Sequence, residues 1–269
     1  MFNLAKNFLG SIVGKYTGKS AFLRPAILHL TVTNRCNLRC RMCNVWKEKP
    51  KSDISEEVIG SLIDSSHLSD FQIIEYGGGE PFLADLVGIT KKFLEAGAPF
   101  KMILVTTNGW QTDRIRDQVE GLLAAGRHSI ILNVSVDGLQ ETHDRLRGRE
   151  GSWERAMNTV TALKEIASEQ PKLKVGMKFT IMRDNYREIW PVYLKARKMD
   201  VEFTAKPAAV FGSLHNEDMD FDFSEEEVDE IISTLKRIED DRGDRALASS
   251  HLFSRLYFFS YPIFTHLHL

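Results

Sequence analysis

The sequence predicts an α/β protein whose strands run parallel. Three observations carry that expectation. Six short apolar or β-branched segments recur along the chain, the composition of strands covered on both faces. Helical hydrophobic periodicity fills the intervals between them. Polar and glycine-rich residues follow the strands directly, which is where parallel α/β sheets collect their chemistry.

The expected strands are residues 27–33, 71–76, 102–106, 130–136, 174–181 and 201–204. Helical patterns cover 56–66, 83–96, 112–125, 153–168 and 186–198. Ser152 is placed to cap the helix that begins at Trp153. Ser224 and Glu227 form an S-x-x-E capping box for a further helix over 225–239. This β-α alternation predicts right-handed crossovers between parallel strands. Periodicity alone leaves two architectures open, a barrel and a doubly wound sheet.

Composition narrows the functional classes. The chain has 269 residues with 43% hydrophobic and 27% charged side chains, which excludes a disordered or collagen-like protein. A formal charge of −2 gives no global reason to expect a nucleic-acid partner. No apolar run is long enough for a membrane span. The charge is uneven, however. Residues 1–51 hold ten Lys/Arg and one acid, and residues 216–230 hold nine acids and no base. Phe2, Ala5, Leu9, Ile12 and Tyr16 share one face of an expected N-terminal helix. That face suits peripheral contact with a membrane surface or, as we favour, cover for the domain. The expected organisation is a basic N-terminal helix over 1–25, a core domain over 26–210 and a helical C-terminal extension over 211–269.

All three cysteines, Cys36, Cys40 and Cys43, fall within eight residues just after the first strand. An odd, clustered set argues against a disulfide framework and for a reducing, cytoplasmic setting. Asn37, Arg39 and Arg41 alternate with the cysteines, which is poor core composition. A structural zinc site normally takes four ligands, yet no fourth cysteine exists and no histidine lies between Arg35 and His67. A redox dithiol needs only Cys40 and Cys43 and leaves Cys36 unexplained. A cubane [4Fe–4S] cluster is normally held by four thiolates. With three, one iron stays open to an external ligand.

The spacing C-x3-C-x2-C after strand one, with Gly78-Gly79-Glu80-Pro81 after strand two, resembles the radical S-adenosylmethionine (radical SAM) superfamily. The segments "TNRCNLRCRMCN", "GGGEPF", "TTNG", "VSVDG", "HDRLRG" and "GSW" are similar to its peptide- and cofactor-maturing, SPASM-type branch. The resemblance runs from Ile27 to Pro207. It implies a partial (β/α)6 TIM-like barrel and one [4Fe–4S] cluster held by Cys36, Cys40 and Cys43. It further implies S-adenosylmethionine (SAM) on the open iron, and a 5′-deoxyadenosyl radical that takes hydrogen from a substrate. Gly78 and Gly79 would let backbone carbonyls meet the SAM ammonium, with Glu80 supporting that end. Ser135 and Asp137, two residues apart, would face a ribose diol. Thr107 and Asn108 end strand three and would meet ligand there. Lys178 sits in an apolar run and needs a partner, for which the SAM carboxylate is a candidate. Met42 stands where the family commonly has an aromatic residue near the adenine. His143, Asp144, Arg147 and Gly148 read as structural, and no acid or base is assigned.

The implied partners are a reductant such as flavodoxin or ferredoxin and a substrate that is a peptide or small cofactor precursor. Two competing readings are an iron–sulfur electron carrier or sensor and a truncated, inactive member. The branch normally continues into a cysteine-bearing auxiliary-cluster region, whereas this chain has no cysteine after Cys43 and ends in the aromatic-rich stretch 253–269.

Overall fold

The structure, a computed structural model, describes residues 25–65, 68 and 70–243. The expected N-terminal helix and the aromatic ending lie outside the described residues. Six strands form the sheet: β1 (Ile27–Thr33), β2 (Ile73–Gly78), β3 (Met102–Thr107), β4 (Ser129–Ser135), β5 (Leu173–Ile181) and β6 (Glu202–Pro207). They follow one another in sequence order, and every neighbouring pair is parallel. That order decides between the two architectures. A doubly wound sheet reverses direction at a switch point, whereas a barrel adds each strand beside the last. No ladder joins β6 to β1 among the described residues, so the barrel is partial.

Among the described residues seven α-helices accompany the strands: α1 (Glu56–Ile63), α2 (Leu86–Glu95), α3 (Thr112–Ala125), α4 (Gln140–Arg147), α5 (Ser152–Glu169), α6 (Ile189–Lys198) and α7 (Glu225–Arg242). Strand residues alternate in environment, as a pleated strand requires. Leu30, Val32, Ile74, Tyr76, Ile103, Val105, Leu132, Val134, Met177 and Phe179 are buried with helix residues such as Phe93, Val119, Val160 and Ile189. The alternate positions face the lumen and are largely polar: His29, Thr31, Glu75, Thr106, Asn133, Ser135, Lys178, Thr180, Thr204 and Lys206. Beyond the amino-terminal ends of the strands, Phe71 stacks on Phe100 at 6.0 Å and meets Phe93 edge-on at 6.1 Å.

Four local expectations change. β2 runs on to Gly78, past the expected end at Tyr76, because its glycines pair with the end of β1. α2 starts at Leu86, where Asp85 caps it by accepting from Gly88 N at 2.9 Å. Pro81–Leu83 instead makes a short 3-10 turn. The helix α4 was not expected and ends at Gly148, whose φ of 67° is the left-handed cap that glycine supplies. Ser152 does not cap α5. Asp144 does, accepting from Gly151 N, Ser152 Oγ and Trp153 N at 2.7–2.8 Å. The capping box of Ser224 and Glu227 at α7 forms as expected. No helix among the described residues is long and apolar enough to cross a membrane.

Candidate cofactor site at the mouth of the barrel

The cysteine loop leaves β1 and is strapped down at several points. Asn34 N donates to Ser52 O at 3.1 Å. Arg35 Nε and Nη2 grip Asp53 at 2.8 and 2.6 Å. The end of β2 docks beside it, with Gly79 N on Thr33 O and Glu80 N on Arg35 O, both at 2.8 Å. A Cβ at Gly78 would lie 2.1 Å from Thr33 O, and one at Gly79 would lie 2.1 Å from Arg35 O. These glycines are therefore demanded by the close approach of two chain segments, before any ligand is considered.

The far side of the loop rests on the end of α4. Arg39 N and Arg41 N donate to Arg147 O and Leu146 O at 3.2 and 2.9 Å. A Cβ at Gly148 would meet Arg39 O at 2.4 Å. Arg149 donates to Asn37 O at 3.1 Å and stacks on Trp110, with its guanidinium carbon 3.6 Å from the ring centroid. Asn216 Nδ2 holds Met42 O at 3.0 Å.

Within this frame the three thiols are free of disulfides. Burial pushes the Cys36 thiol up to about 12, and the neighbouring Cys40 and Cys43 add to the rise. Burial raises Cys40 and Cys43 as well, while Arg147 opposes the shift at both. Arg147 Nη1 stands 3.7 Å from Cys40 Sγ. Its Nη2 lies 2.5 Å from Asp137 Oδ2, and Asp137 and Arg147 are 0% and 8% exposed. A buried guanidinium, balanced by a buried carboxylate, thus backs the central cysteine. Three soft donors that feel one another's charge suit a thiophilic centre that favours the ionised form. Among the described residues no three His, Cys, Asp or Glu side chains gather around a single ion.

Several of the residues expected to meet ligand also have partners within the protein. Glu80 is buried and accepts from Thr107 Oγ1 and Asn108 N, both at 2.7 Å, and from Phe82 N at 3.3 Å. Burial pushes its carboxyl up to about 7, against the pull of those donors. Thr107 Oγ1 also accepts from Gly109 N, and Asn108 bonds Asn37 and Trp110 N through its side chain. Glu80, Thr107 and Asn108 therefore form an internal node that ties β2 to β3. Asp137 does not join Ser135 on the inner face, because it turns to Arg147 and accepts from Thr180 N at 2.8 Å. Met42 is buried next to the cysteines. It packs with Leu146, Met182 and Ala208, and Cys40 and Cys43 pack against this group. Ser135 does lie on the inner face, directly opposite Lys178.

The model of the radical SAM superfamily matches residues 30–194. The chain belongs to the radical SAM superfamily. Among its relatives, the Fe-coproporphyrin III synthase of Methanosarcina barkeri is 29% identical over 216 residues, covering 78% of this chain and 51% of the relative. The sporulation killing factor maturation protein SkfB of Bacillus subtilis is 30% identical, covering 61% of this chain and 38% of the relative. This radical SAM chain thus spans about half the length, or less, of these curated relatives. Among solved structures, anSMEcpe with bound AdoMet has a TM-score of 0.60 at 17% identity, covering 79% of this chain and 59% of that one. Streptococcus suis SuiB bound to precursor peptide SuiA gives 0.55 at 16% identity, covering 91% and 50%. At these identities the structures establish the shared barrel fold. The relatives include members of the peptide-maturing, SPASM-type branch that the motifs resemble.

Sequence reasoning missed two parts of this radical SAM barrel. Arg147 and Asp137 reach the cysteines only because α4 folds back onto the loop, and no local pattern announces that. Lys206 was missed because strand six was expected to end at Thr204. The two-residue alternation of Glu202, Thr204 and Lys206 was the available signal.

Proposed function

We propose that this chain holds one [4Fe–4S] cluster on Cys36, Cys40 and Cys43 and cleaves SAM reductively to act on a peptide or small cofactor precursor. The observation that carries this reading is the three-thiol loop clamped at the barrel mouth and backed by Arg147. When bound, the cluster supplies one electron that breaks the sulfonium C–S bond of SAM, giving methionine and a 5′-deoxyadenosyl radical that takes a hydrogen atom from the substrate. That electron comes from a one-electron reductant such as flavodoxin or ferredoxin, in the cytoplasm.

The protein's share is positioning and shielding. The Gly78–Gly79 backbone, held against β1, presents peptide groups beside the loop, where carbonyls can accept from an ammonium. Ser135 offers a hydroxyl on the inner face. Arg147 lowers the cost of thiolate charge on Cys40. The internal node of Glu80 keeps β2 and β3 in place around the mouth. Support for the substrate class comes from the relatives: one is a maturation protein, one a synthase of Fe-coproporphyrin III, and SuiB is seen with its precursor peptide.

The test is anaerobic reconstitution followed by dithionite and SAM. We expect about four iron per chain, as one cubane requires, and release of 5′-deoxyadenosine. Cys40→Ala is expected to lose the cluster and the product together. A stable cluster that yields no 5′-deoxyadenosine would overturn the enzyme reading in favour of an electron carrier or an inactive member. Retention of the full iron content by Cys40→Ala would overturn the ligand assignment.

A further inference from the structure

We propose that Arg147, acting through Cys40, raises the reduction potential of the cluster and so makes it easier to reduce. This rests on the radical SAM reading and adds to it a residue that governs the first electron transfer. The arginines nearest the cysteines in the chain are engaged elsewhere. Arg35 grips Asp53, Arg41 pairs with Asp184 at 2.8 Å, and Arg39 stands over the Trp46 ring, 5.8 Å from its centroid. Among the described residues, the one guanidinium on a thiol comes from the end of α4, where Arg147 Nη1 lies 3.7 Å from Cys40 Sγ. Cys36 and Cys43 are met by the backbone instead, at Leu38 and Val45.

The contact is held in place from behind. Asp137 Oδ2 takes Nη2 of the buried guanidinium at 2.5 Å, which leaves Nη1 to the sulfur. Asp137 is itself fixed, accepting from Thr180 N at 2.8 Å while its own N donates to His143 Nδ1 at 3.0 Å. At Cys40 the charge of Arg147 outweighs the opposing charge of Asp137. Reduction moves one electron from the reductant onto the cluster and its three thiolates, with no bond or proton moving. It therefore adds one negative charge beside Arg147. A buried cation favours that charge more than one in water does. Net charge and hydrogen bonds to the sulfurs are what set such potentials. Arg147 raises the potential, and Asp137 limits the rise.

The seat of the loop and the charge on it are separable. α4 holds the loop through the backbone carbonyls of Leu146 and Arg147, which accept from Arg41 N and Arg39 N. Those bonds do not use the Arg147 side chain. Changing that side chain alters the charge beside Cys40 and leaves both backbone bonds available.

Anaerobically reconstituted wild type, Arg147→Lys and Arg147→Gln are taken through a redox titration without SAM, the reduced cluster being followed by electron paramagnetic resonance. We expect Arg147→Gln to be tenfold harder to reduce, a drop in potential of about 59 mV for one electron. Arg147→Lys keeps the charge and should fall between the two. A potential for Arg147→Gln equal to or above that of wild type would overturn the proposal. A second measurement needs no variant. Wild type grown with arginine labelled in the heavy nitrogen isotope should show hyperfine coupling of that nitrogen to the reduced cluster. Absence of the coupling would overturn the contact. Iron content and 5′-deoxyadenosine are read on the same samples. If wild type releases no 5′-deoxyadenosine but its potential still drops in Arg147→Gln, the role of Arg147 is supported while the radical reading fails. A wild type that binds no cubane overturns both.

Discussion

Single residues near the mouth are charged in ways their neighbours dictate. Arg147 is held as a cation by Asp137 and Cys40, which outweigh its burial. His143 is the opposite case. It is fully buried, its Nδ1 accepts from Asp137 N at 3.0 Å, and burial and Arg147 push its pKa down to about 3. The folded protein thus keeps His143 neutral, while the unfolded chain protonates it near 6.5. The linked stability is present above 6.5 and is lost progressively as pH falls toward 3. One such proton steepens the pH dependence by at most about 1.4 kcal/mol per unit. We expect the Tm of cluster-free protein to fall as the pH drops from 6.5 toward 3. His143→Asn, which keeps an acceptor and cannot take the proton, should show a shallower fall in the same scan. Equal slopes for the two proteins would remove His143 from the explanation.

At the scale of elements, the cysteine loop depends on α4. Two backbone hydrogen bonds, the Arg147 guanidinium and the left-handed Gly148 together make the end of α4 the seat of the loop. A methyl group at Gly148 meets both obstacles at once: a φ of 67° and the Arg39 carbonyl at 2.4 Å. The left-handed conformation alone costs about 1–2 kcal/mol for a residue with a Cβ, and the contact forces the loop to shift. Gly148→Ala should therefore lower Tm and bind clearly less iron than wild type on reconstitution, although no thiol is touched. Unchanged iron content would show that the loop does not need this seat. The cap of α5 illustrates the same dependence. Ser152 looks like a cap in the sequence, but Asp144 from the preceding helix does that work, because α4 ends where its carboxylate reaches three donors.

On the scale of the whole molecule, the barrel separates its stability from its chemistry. The apolar faces of the strands and helices form one continuous core, and the aromatic group of Phe71, Phe93 and Phe100 lies away from the mouth, before the strands that carry it upward. Phe71→Ala removes a fully buried ring and should cost about 3–5 kcal/mol. The denaturation midpoint should drop accordingly, while iron binding per folded chain stays at the wild-type level. A matching loss of iron under conditions where the variant is folded would mean that packing at the base is transmitted to the mouth.

Strand alternation, helix periodicity, the cysteine spacing and the glycine turn are properties of neighbours in the chain, and they were sufficient for the α/β class, the element order and the superfamily. Strand β1 and helix α3 even begin and end where their patterns do. What the sequence did not carry was the destination of each polar side chain. The protein neighbours of Glu80, Asp137 and Met42 include Thr107, Arg147 and Leu146, and no local pattern names them. Lys178 and Lys206 lie far apart in the chain and are brought onto one wall only by the β5–β6 ladder, opposite Thr204 and Thr180. The reason is physical: a buried polar group must find a partner, and which partner lies within reach is set by how the elements pack, through separations in space that no local pattern encodes.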